Sequence, residues 1–493
     1  MVIWPGMGKL QSVKHVTGLL TGLTLLLWTP LCPADTIVLK NGRVIVAESV
    51  TERGGLVTYE GEAGRVSIPS SLVERIERGG PPPERSALAA AGASPQPAKL
   101  DSLPQIHFSL KGVAIEKIVR EGAVDDGLLA ELAGRADDGE LQRQNAVNAF
   151  LIAATYETSR KRLAEASRWA EQAVQLSPRD SNALLIAADI DLARRQYREA
   201  LSHLLVAESA APDSPDVLTL LGNAYYFSDG AGRALWYWKQ AQAIRPTPAL
   251  LERIDRAERE AEVESRLQQA GSYHFALNWE GSAVPAGFAR EILDALERQF
   301  TELQIALNYT PSERVSIILY SSLQFGDITR APRWAGAVND GKIRVPVQGL
   351  SGLSPELSRV LKHELVHSFI FQITEGRCPT WFNEGIAQME AGEPLDEFVP
   401  ELAHLFATSR QIPLAELEES FERFDSDRAR QAYGESLAAV EMMRDRYGRF
   451  RLPELLEALR SQSLAEALRS VLRSDYAELE ALLGDYLRQR YGR

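Results

Sequence analysis

Residues 354–387 read SPELSRVLKHELVHSFIFQITEGRCPTWFNEGIA, and this stretch decides the architecture of the C-terminal part of the chain. Ser354 and Pro355 are typical of a helix start, because the serine side chain can cap the first turn and proline fits the first helical position. Apolar residues then recur at helical spacing, which predicts a buried helix. Gly376 and Pro379 interrupt the pattern, so we expect a turn and a second helix that comes back beside the first.

The first of these helices carries an HExxH motif. His363 and His367 lie four residues apart, so one helical face presents both imidazoles to a single point. Two neutral imidazoles on a buried helix suit Zn²⁺. Glu364 lies close to that point but off the axis of the two ligands, where it can take a proton from a metal-activated water. The alternative interpretation is a buried helix with two satisfied histidines and a paired glutamate.

A catalytic zinc needs a third protein ligand, and Glu384 follows His367 by 17 residues within the motif WFNEGIA. HExxH followed by an element similar to W-x-x-E-G-x-A resembles the gluzincin metallopeptidases, and the resemblance covers about residues 270–493. It implies that His363, His367 and Glu384 bind zinc and that Glu364 is the general base. For Glu384 alone, the alternative is an exposed carboxylate at a helix start.

Two further features of the site are implied by the same resemblance. Gluzincins place an electrophilic Tyr or His downstream of the ligands, and Tyr433 is the candidate here; the alternative is a tyrosine that only packs its helix. The stretch that begins at Gly336 and Ala337 resembles the edge strand of zinc aminopeptidases, which pairs with the substrate backbone. It carries Val338-Asn339-Asp340 where that family has an amine-binding glutamate, so endopeptidase and aminopeptidase activity both stay open. Cys378, between the two zinc motifs, is interpreted as a packing residue.

A 34-residue repeat precedes this region. Four columns of residues keep the period: Pro178, Pro212 and Pro246; Ala166, Ala200 and Ala234; Ala173, Ala207 and Ala241; Ala154, Ala188 and Gly222. They resemble tetratricopeptide repeats at 147–180, 181–214 and 215–248. With a polar helix at about 249–268, they predict a helical solenoid over 105–268. Its concave face is expected to bind a peptide or a protein partner; the alternative is a scaffold that spaces its neighbours.

The N-terminal part reads as an export signal and a small β module. In residues 1–34, basic residues precede an apolar run that is short for a membrane span, and small residues precede a cleavage site after Ala34. We therefore expect a periplasmic or extracellular protein, or a membrane-anchored one if the signal is uncleaved. Residues 35–78 alternate between apolar and polar, which predicts a small SH3-like antiparallel barrel. A Pro/Ala/Gly linker is predicted over 79–104.

Composition sets the remaining limits. The 493 residues carry a net charge of −13, which gives no electrostatic footprint for nucleic acid. The two cysteines, Cys32 and Cys378, provide no disulfide framework. The predicted fold class is a multidomain α+β protein with a β-barrel-like module, an α-solenoid and a mostly helical peptidase domain with a small sheet. The predicted function is an exported zinc metallopeptidase acting on a peptide or protein. The alternative is a non-catalytic repeat assembly or scaffold protein with a structural or vestigial zinc site.

Overall fold

The computed structural model describes residues 34–39, 44–47, 49–53, 56–61, 64–70, 73–80, 115–228, 230–281, 284–321, 325, 328, 337–347 and 352–491. The chain forms two compact units, Met1–Arg85 and Ser86–Arg493. The predicted export signal lies outside the described residues except for Ala34, as do most of the predicted linker and Gly336. Among the described helices, none combines the length and the apolar character that crossing a membrane requires.

In the first unit, the described residues form short antiparallel strands. They are β1 (Ala34–Leu39), β2 (Val44–Ala47), β3 (Ser49–Arg53), β4 (Leu56–Gly61), β5 (Gly64–Pro69) and β6 (Val73–Gly80). The expected single barrel is not found in the described residues. The strands form two three-stranded sheets, β2-β1-β6 and β3-β4-β5, because β6 returns to pair with β1 rather than with β5. Strand β6 also takes in the first two residues of the predicted linker.

The described residues of the second unit begin with helices. They are α1 (Ile115–Ile118), α2 (Asp126–Gly134), α3 (Glu140–Ser159), α4 (Leu163–Leu176), α5 (Ser181–Ala193), α6 (Tyr197–Ala210), α7 (Pro215–Ser228), α8 (Ala231–Ile244) and α9 (Pro248–Glu264), with the short pair β7 (Val119–Arg120) and β8 (Ala123–Val124) between α1 and α2. Helices α3 to α8 form three consecutive hairpins that follow the 34-residue period. The first hairpin starts earlier than expected, at 140 rather than 147. Helix α9 ends at Glu264, short of the predicted 268, because the chain enters a strand at Leu267.

The small residues of the repeat explain how closely its helices pack. All six alanines of the two alanine columns are fully buried, at 0% exposure. Gly222 lies against Trp238 so closely that a Cβ atom there would be 2.2 Å from the indole ring. A larger side chain in these columns would push the paired helices apart. The prolines follow the second helix of each hairpin, where the missing N–H breaks no helical hydrogen bond.

The rest of the second unit is a five-stranded sheet surrounded by helices. Its strands are β9 (Leu267–Gly271), β10 (Phe275–Glu280), β11 (Val315–Tyr320), β12 (Val338–Asn339) and β13 (Lys342–Pro346). The order is β12-β13-β11-β10-β9, with parallel pairing in the centre and an antiparallel strand at each edge. The apolar run 315–319 forms β11 in the middle of the sheet, and β12 and β13 pair as an antiparallel hairpin turned at residues 340–341.

The helices of this part bury one large apolar core against the sheet. They are α10 (Ala286–Leu307), α11 (Pro355–Thr374), α12 (Thr380–Ala391), α13 (Val399–Ala407), α14 (Ser426–Tyr447), α15 (Arg451–Ala458), α16 (Leu464–Ala467) and α17 (Tyr476–Tyr491). The helix pair α11–α12 is the pair that the sequence predicts from residues 354–387.

A buried charge network joins the solenoid to the sheet. Arg344, fully buried on β13, donates to the hydroxyl of Tyr226 at 3.0 Å and pairs with Asp340 and with Glu260. Arg256 of α9 pairs with Asp340 at 2.7 Å. Two of these ion pairs, Arg344 with Glu260 and Arg256 with Asp340, join α9 to the β12–β13 hairpin, so the network fixes the solenoid against that hairpin.

Candidate metal centre and cleft

Helix α11 begins at the residues that its sequence predicts. The Ser354 hydroxyl accepts a hydrogen bond from the Leu357 amide at 3.1 Å, and Pro355 is the first helical residue. His363 and Glu364 are each 2% exposed. His367 lies one turn further on, with 10% of its side chain exposed. The apolar face of the helix packs into the core, so the two imidazoles are held at fixed positions.

Helix α12 brings Glu384 to the two imidazoles. Its Oε2 lies 3.4 Å from His363 Nε2 and 3.6 Å from His367 Nε2, and Glu384 is buried rather than exposed. The adjacent Gly385 permits this approach, because a Cβ atom there would lie 2.4 Å from the Ser436 carbonyl oxygen of α14. The glycine in WFNEGIA is therefore a packing requirement of the helix that carries Glu384.

The three side chains fit a divalent metal ion. His363 Nε2, His367 Nε2 and Glu384 Oε2 are all buried without a hydrogen-bond partner. Leaving such atoms unsatisfied costs about 1–3 kcal/mol each, so their convergence calls for a ligand common to all three. Zinc–ligand bonds of about 2.0–2.2 Å in tetrahedral geometry place donor atoms about 3.4 Å apart, close to the observed separations.

The outer nitrogen of each imidazole is also bound. His363 Nδ1 lies 3.0 Å from Glu393 Oε1, and His367 Nδ1 lies 2.9 Å from Asn383 Oδ1. Gln388 donates to the other oxygen of Glu393 at 3.1 Å. Since carboxylate and amide oxygens only accept, both Nδ1 atoms carry the proton and both Nε2 atoms keep a lone pair for a metal.

These outer partners were missed by sequence reasoning. Asn383 directly precedes Glu384, and Glu393 follows the end of the same helix by two residues, so the requirement that a ligating histidine be hydrogen-bonded could have directed attention to both.

The electrostatics of the site favour a positive charge between the ligands. Burial alone lowers the pKa of His363, but the nearby carboxylates of Glu384 and Glu393 outweigh it and raise that pKa to about 10. Two carboxylates that stabilise a proton at this point also stabilise a cation there.

A second group, Glu171, Asp191 and His203, brings similar atom types together in the repeats. There the His203 ring hydrogen-bonds Asp191 at 3.0 Å, and the Glu171 side chain is 42% exposed. That is the arrangement of an ordinary ion pair.

The predicted edge strand reaches the HExxH helix through Asn339. The Asn339 amide donates to the Glu364 carbonyl oxygen at 2.9 Å and to Ser368 Oγ at 2.8 Å. Ala337 is buried beside it at 1% exposure, and Gly336 lies outside the described residues. Strand β12 is at the edge of the sheet. Substrate pairing along this edge stays a prediction.

Among the described residues, Tyr433 is not one of those that line the cavity next to the metal centre. Its ring packs edge-on against Phe421, with centroids 5.2 Å apart, and lies against the apolar core. The role predicted for Tyr433 at an oxyanion stays a prediction. Cys378 packs against the core as expected, and burial raises the pKa of its thiol. In the described residues, the metal-type cluster on α11 and α12 does not include Cys378.

The metal centre opens into a cavity of about 930 Å³. His367 and Glu384 line it, together with Asn339 and Asn383. Residues of the repeats, including Lys161 and Arg195, complete its wall. The cleft is therefore shared by the solenoid and the helical region that follows.

Comparison with known proteins agrees with this architecture. Residues 299–489 match the family model of the peptidase MA superfamily. The matched segment contains His363, Glu364, His367 and Glu384, and it starts within α10, later than the predicted boundary at 270. A search of curated proteins gave no match to this chain. The C-terminal region is thus a peptidase MA-like domain, and the match indicates a peptidase-like function.

Proposed function

We propose that the protein is an exported zinc metallopeptidase that hydrolyses peptide bonds in a peptide or protein substrate. The observation that carries the proposal is the convergence of three buried acceptor atoms, from His363, His367 and Glu384, that have no hydrogen-bond partner. The wider chain supports it, because two of these residues, His367 and Glu384, line a cleft beside a peptidase MA-like domain. Export rests on the sequence of residues 1–34, and recruitment of a partner rests on the resemblance to tetratricopeptide repeats.

Each residue of the site has a distinct part in this reaction. The two imidazoles and Glu384 hold zinc, which when bound polarises the scissile carbonyl and lowers the pKa of water to about 7. The Glu364 carboxylate takes the proton of the attacking water and passes it to the leaving amine. Asn383 and Glu393 keep the proton on the outer nitrogen of each imidazole. The Asn339 amide holds the main chain of α11 at Glu364.

Zinc content and cleavage of a peptide library by matched variants test the proposal. Glu364→Gln should keep zinc and lose hydrolysis, whereas His363→Ala should lose both. Glu356→Gln, which makes the same charge change on an exposed turn of α11, is the control and should behave like the wild type. Comparing cleaved termini in an extracellular proteome between the wild type and Glu364→Gln would then identify substrates.

Two results would count against the proposal. Full hydrolysis by Glu364→Gln would remove the general base. A protein that binds zinc stoichiometrically and cleaves nothing would favour the alternative of a scaffold with a structural metal site.

A further inference from the structure

The solenoid contributes cations to the wall of the cleft. Lys161 and Arg195 both line the cavity that contains His367 and Glu384. They are 34 residues apart, one repeat period, and each lies in the turn between the two helices of its hairpin. The turns of successive repeats lie on the same edge of a solenoid. The edge that faces the cleft therefore carries two positive charges, one from Lys161 and one from Arg195.

The backbone of these turns is unusual for side-chain-bearing residues. Lys161 has a φ of 57° and Arg195 a φ of 60°, both in the left-handed region that glycine adopts at lowest cost. At both turns the chain carries a long cationic side chain in this conformation. Strained positions of this kind are often found where the side chain has a function.

Arg195 is held beside the metal centre. Its guanidinium lies over the ring of Phe371, 3.8 Å from the centroid. Phe371 is four residues after His367 on α11, so the two side chains share a helical face. Stacking on an aromatic ring stabilises a cation without neutralising it. Burial lowers the pKa of Arg195, which agrees with a guanidinium held away from bulk water.

A third cation lies on the loop between the two ligand helices. Arg377 also lines the cavity, and its guanidinium donates to the main-chain oxygens of Lys161, Arg460 and Gln462 at 3.3–3.5 Å. None of the ion pairs formed within 4 Å in the described part of the chain involves Lys161, Arg195 or Arg377. The neighbouring Glu375 is already paired with Arg194 and Arg460, at 3.2 Å and 3.6 Å.

The acidic residues on the opposite wall do not compensate this charge. Glu419 pairs with Arg423 at 2.6 Å, and Glu418 accepts a hydrogen bond from the Tyr476 hydroxyl. One wall therefore carries cations without a carboxylate partner, and the other carries acids that are already bound. In a chain of net charge −13, this local positive potential attracts anionic ligands to the cleft.

We propose that Lys161, Arg195 and Arg377 bind a carboxylate of the substrate, so that the cleft selects acidic peptides. The inference rests on the proposed function, and it names the substrate class of that same cleft. The carboxylate can come from an Asp or Glu side chain near the scissile bond or from the C-terminus of the peptide. A guanidinium held against an aromatic ring suits either source, because it can donate two parallel hydrogen bonds to a carboxylate.

The test uses the full-length zinc-loaded protein and three short peptides that are otherwise identical. The first has an internal Glu and an amidated C-terminus, the second an internal Gln and a free C-terminal carboxylate, and the third an internal Gln and an amidated C-terminus. Fluorescently labelled forms give binding constants, and mass spectrometry gives kcat/KM for cleavage. The first two peptides separate the two sources of the carboxylate, and the third is the neutral reference.

Arg195→Gln should weaken binding and cleavage of the preferred acidic peptide about 10-fold, because a charge-assisted hydrogen bond in a partly buried site is lost. Binding and cleavage of the neutral peptide should change less than about 2-fold, because it offers no carboxylate to Arg195. Arg195→Lys keeps the charge and should recover part of the preference. Lys161 is exposed, so Lys161→Gln leaves the packing unchanged, and it should weaken binding of the acidic peptide about 2- to 5-fold. Arg198→Gln, the same change three residues away and lining another cavity, is the matched control.

Each outcome decides one proposal. Equal binding of acidic and neutral peptides by the wild type overturns the inference, as does an equal loss for all three peptides in Arg195→Gln. Absence of cleavage with every peptide overturns the proposed function instead. The binding constants still decide the inference in that case, because they need no turnover.

Discussion

The hydrogen bond from His367 to Asn383 gives the sharpest prediction for the metal centre. Asn383→Leu replaces the amide with an apolar group of similar size and removes the acceptor 2.9 Å from His367 Nδ1. Only 10% of the His367 side chain is exposed, so water cannot fully replace the lost partner. A buried donor left without an acceptor costs about 1–3 kcal/mol.

The metal-bound and metal-free states do not share this cost equally. Without zinc, the His367 ring can move its proton to Nε2 and donate it towards Glu384 Oε2, 3.6 Å away. With zinc, Nε2 is a ligand and the proton must stay on Nδ1, which then faces leucine. The penalty therefore falls mainly on the bound state, and zinc affinity should drop about 10- to 100-fold, equivalent to about 1.4–2.8 kcal/mol.

Zinc affinity is measured by competition with a chelator of known strength, and circular dichroism checks the fold. Asn383→Asp is the control, because it keeps an acceptor at the same position and should bind zinc at least as well as the wild type. Thermal unfolding with and without zinc gives a second readout, since zinc that binds more weakly stabilises the folded state less. A folded Asn383→Leu protein with wild-type zinc affinity would refute the reasoning.

Three further predictions concern stability. Arg344→Met removes the fully buried one of the two arginines that pair with Asp340 and Glu260, leaving only Arg256, and should lower the free energy of unfolding in urea by about 3 kcal/mol; a loss below about 1 kcal/mol would show that water reaches the network. Burial raises the pKa of Glu435 from 4.5 to about 7, so the folded state favours the protonated form. Its stabilising contribution is complete below pH 4.5 and declines as the pH rises through 7. In Glu435→Gln the melting temperature should therefore depend less on pH over that range. Gly385→Ala places a Cβ against α14, should cost about 1–3 kcal/mol in thermal unfolding and should also weaken zinc binding; an unchanged protein would show that α12 shifts freely.

The features predicted best from the sequence are those set by short-range spacing. The separation of His363 and His367 and the cap at Ser354 depend only on the geometry of one helix, and the structure shows both on α11. The repeat is equally local, because each hairpin is one copy of a 34-residue unit. The position of Glu384 needed one more assumption, a tight turn between two helices, and the glycine and proline in that turn supplied it.

Features that depend on long-range pairing were predicted less well. The alternation over residues 35–78 indicates strands but not which strand pairs with which, so one barrel and two three-stranded sheets have the same sequence signature. The residues that accept a hydrogen bond from the two imidazoles were equally hard to predict. Asn383 lies on α12 and Glu393 follows its end, and nothing in their spacing tells which of many such polar residues faces a histidine.

The contact between the solenoid and the peptidase MA-like domain changes what the repeats can do. Two ion pairs cross this contact, Arg256 with Asp340 and Arg344 with Glu260, and each joins residues 84 positions apart in the sequence. Taking charged groups out of water is costly unless each has its partner, so neither part can bury its share of the network alone. The same contact brings the turns at Lys161 and Arg195 to the wall of the cleft. A chain cut between α9 and β9 would therefore lose both a stabilising contact and one side of the substrate cleft, which makes the solenoid a structural part of the site and not only an adaptor attached to it.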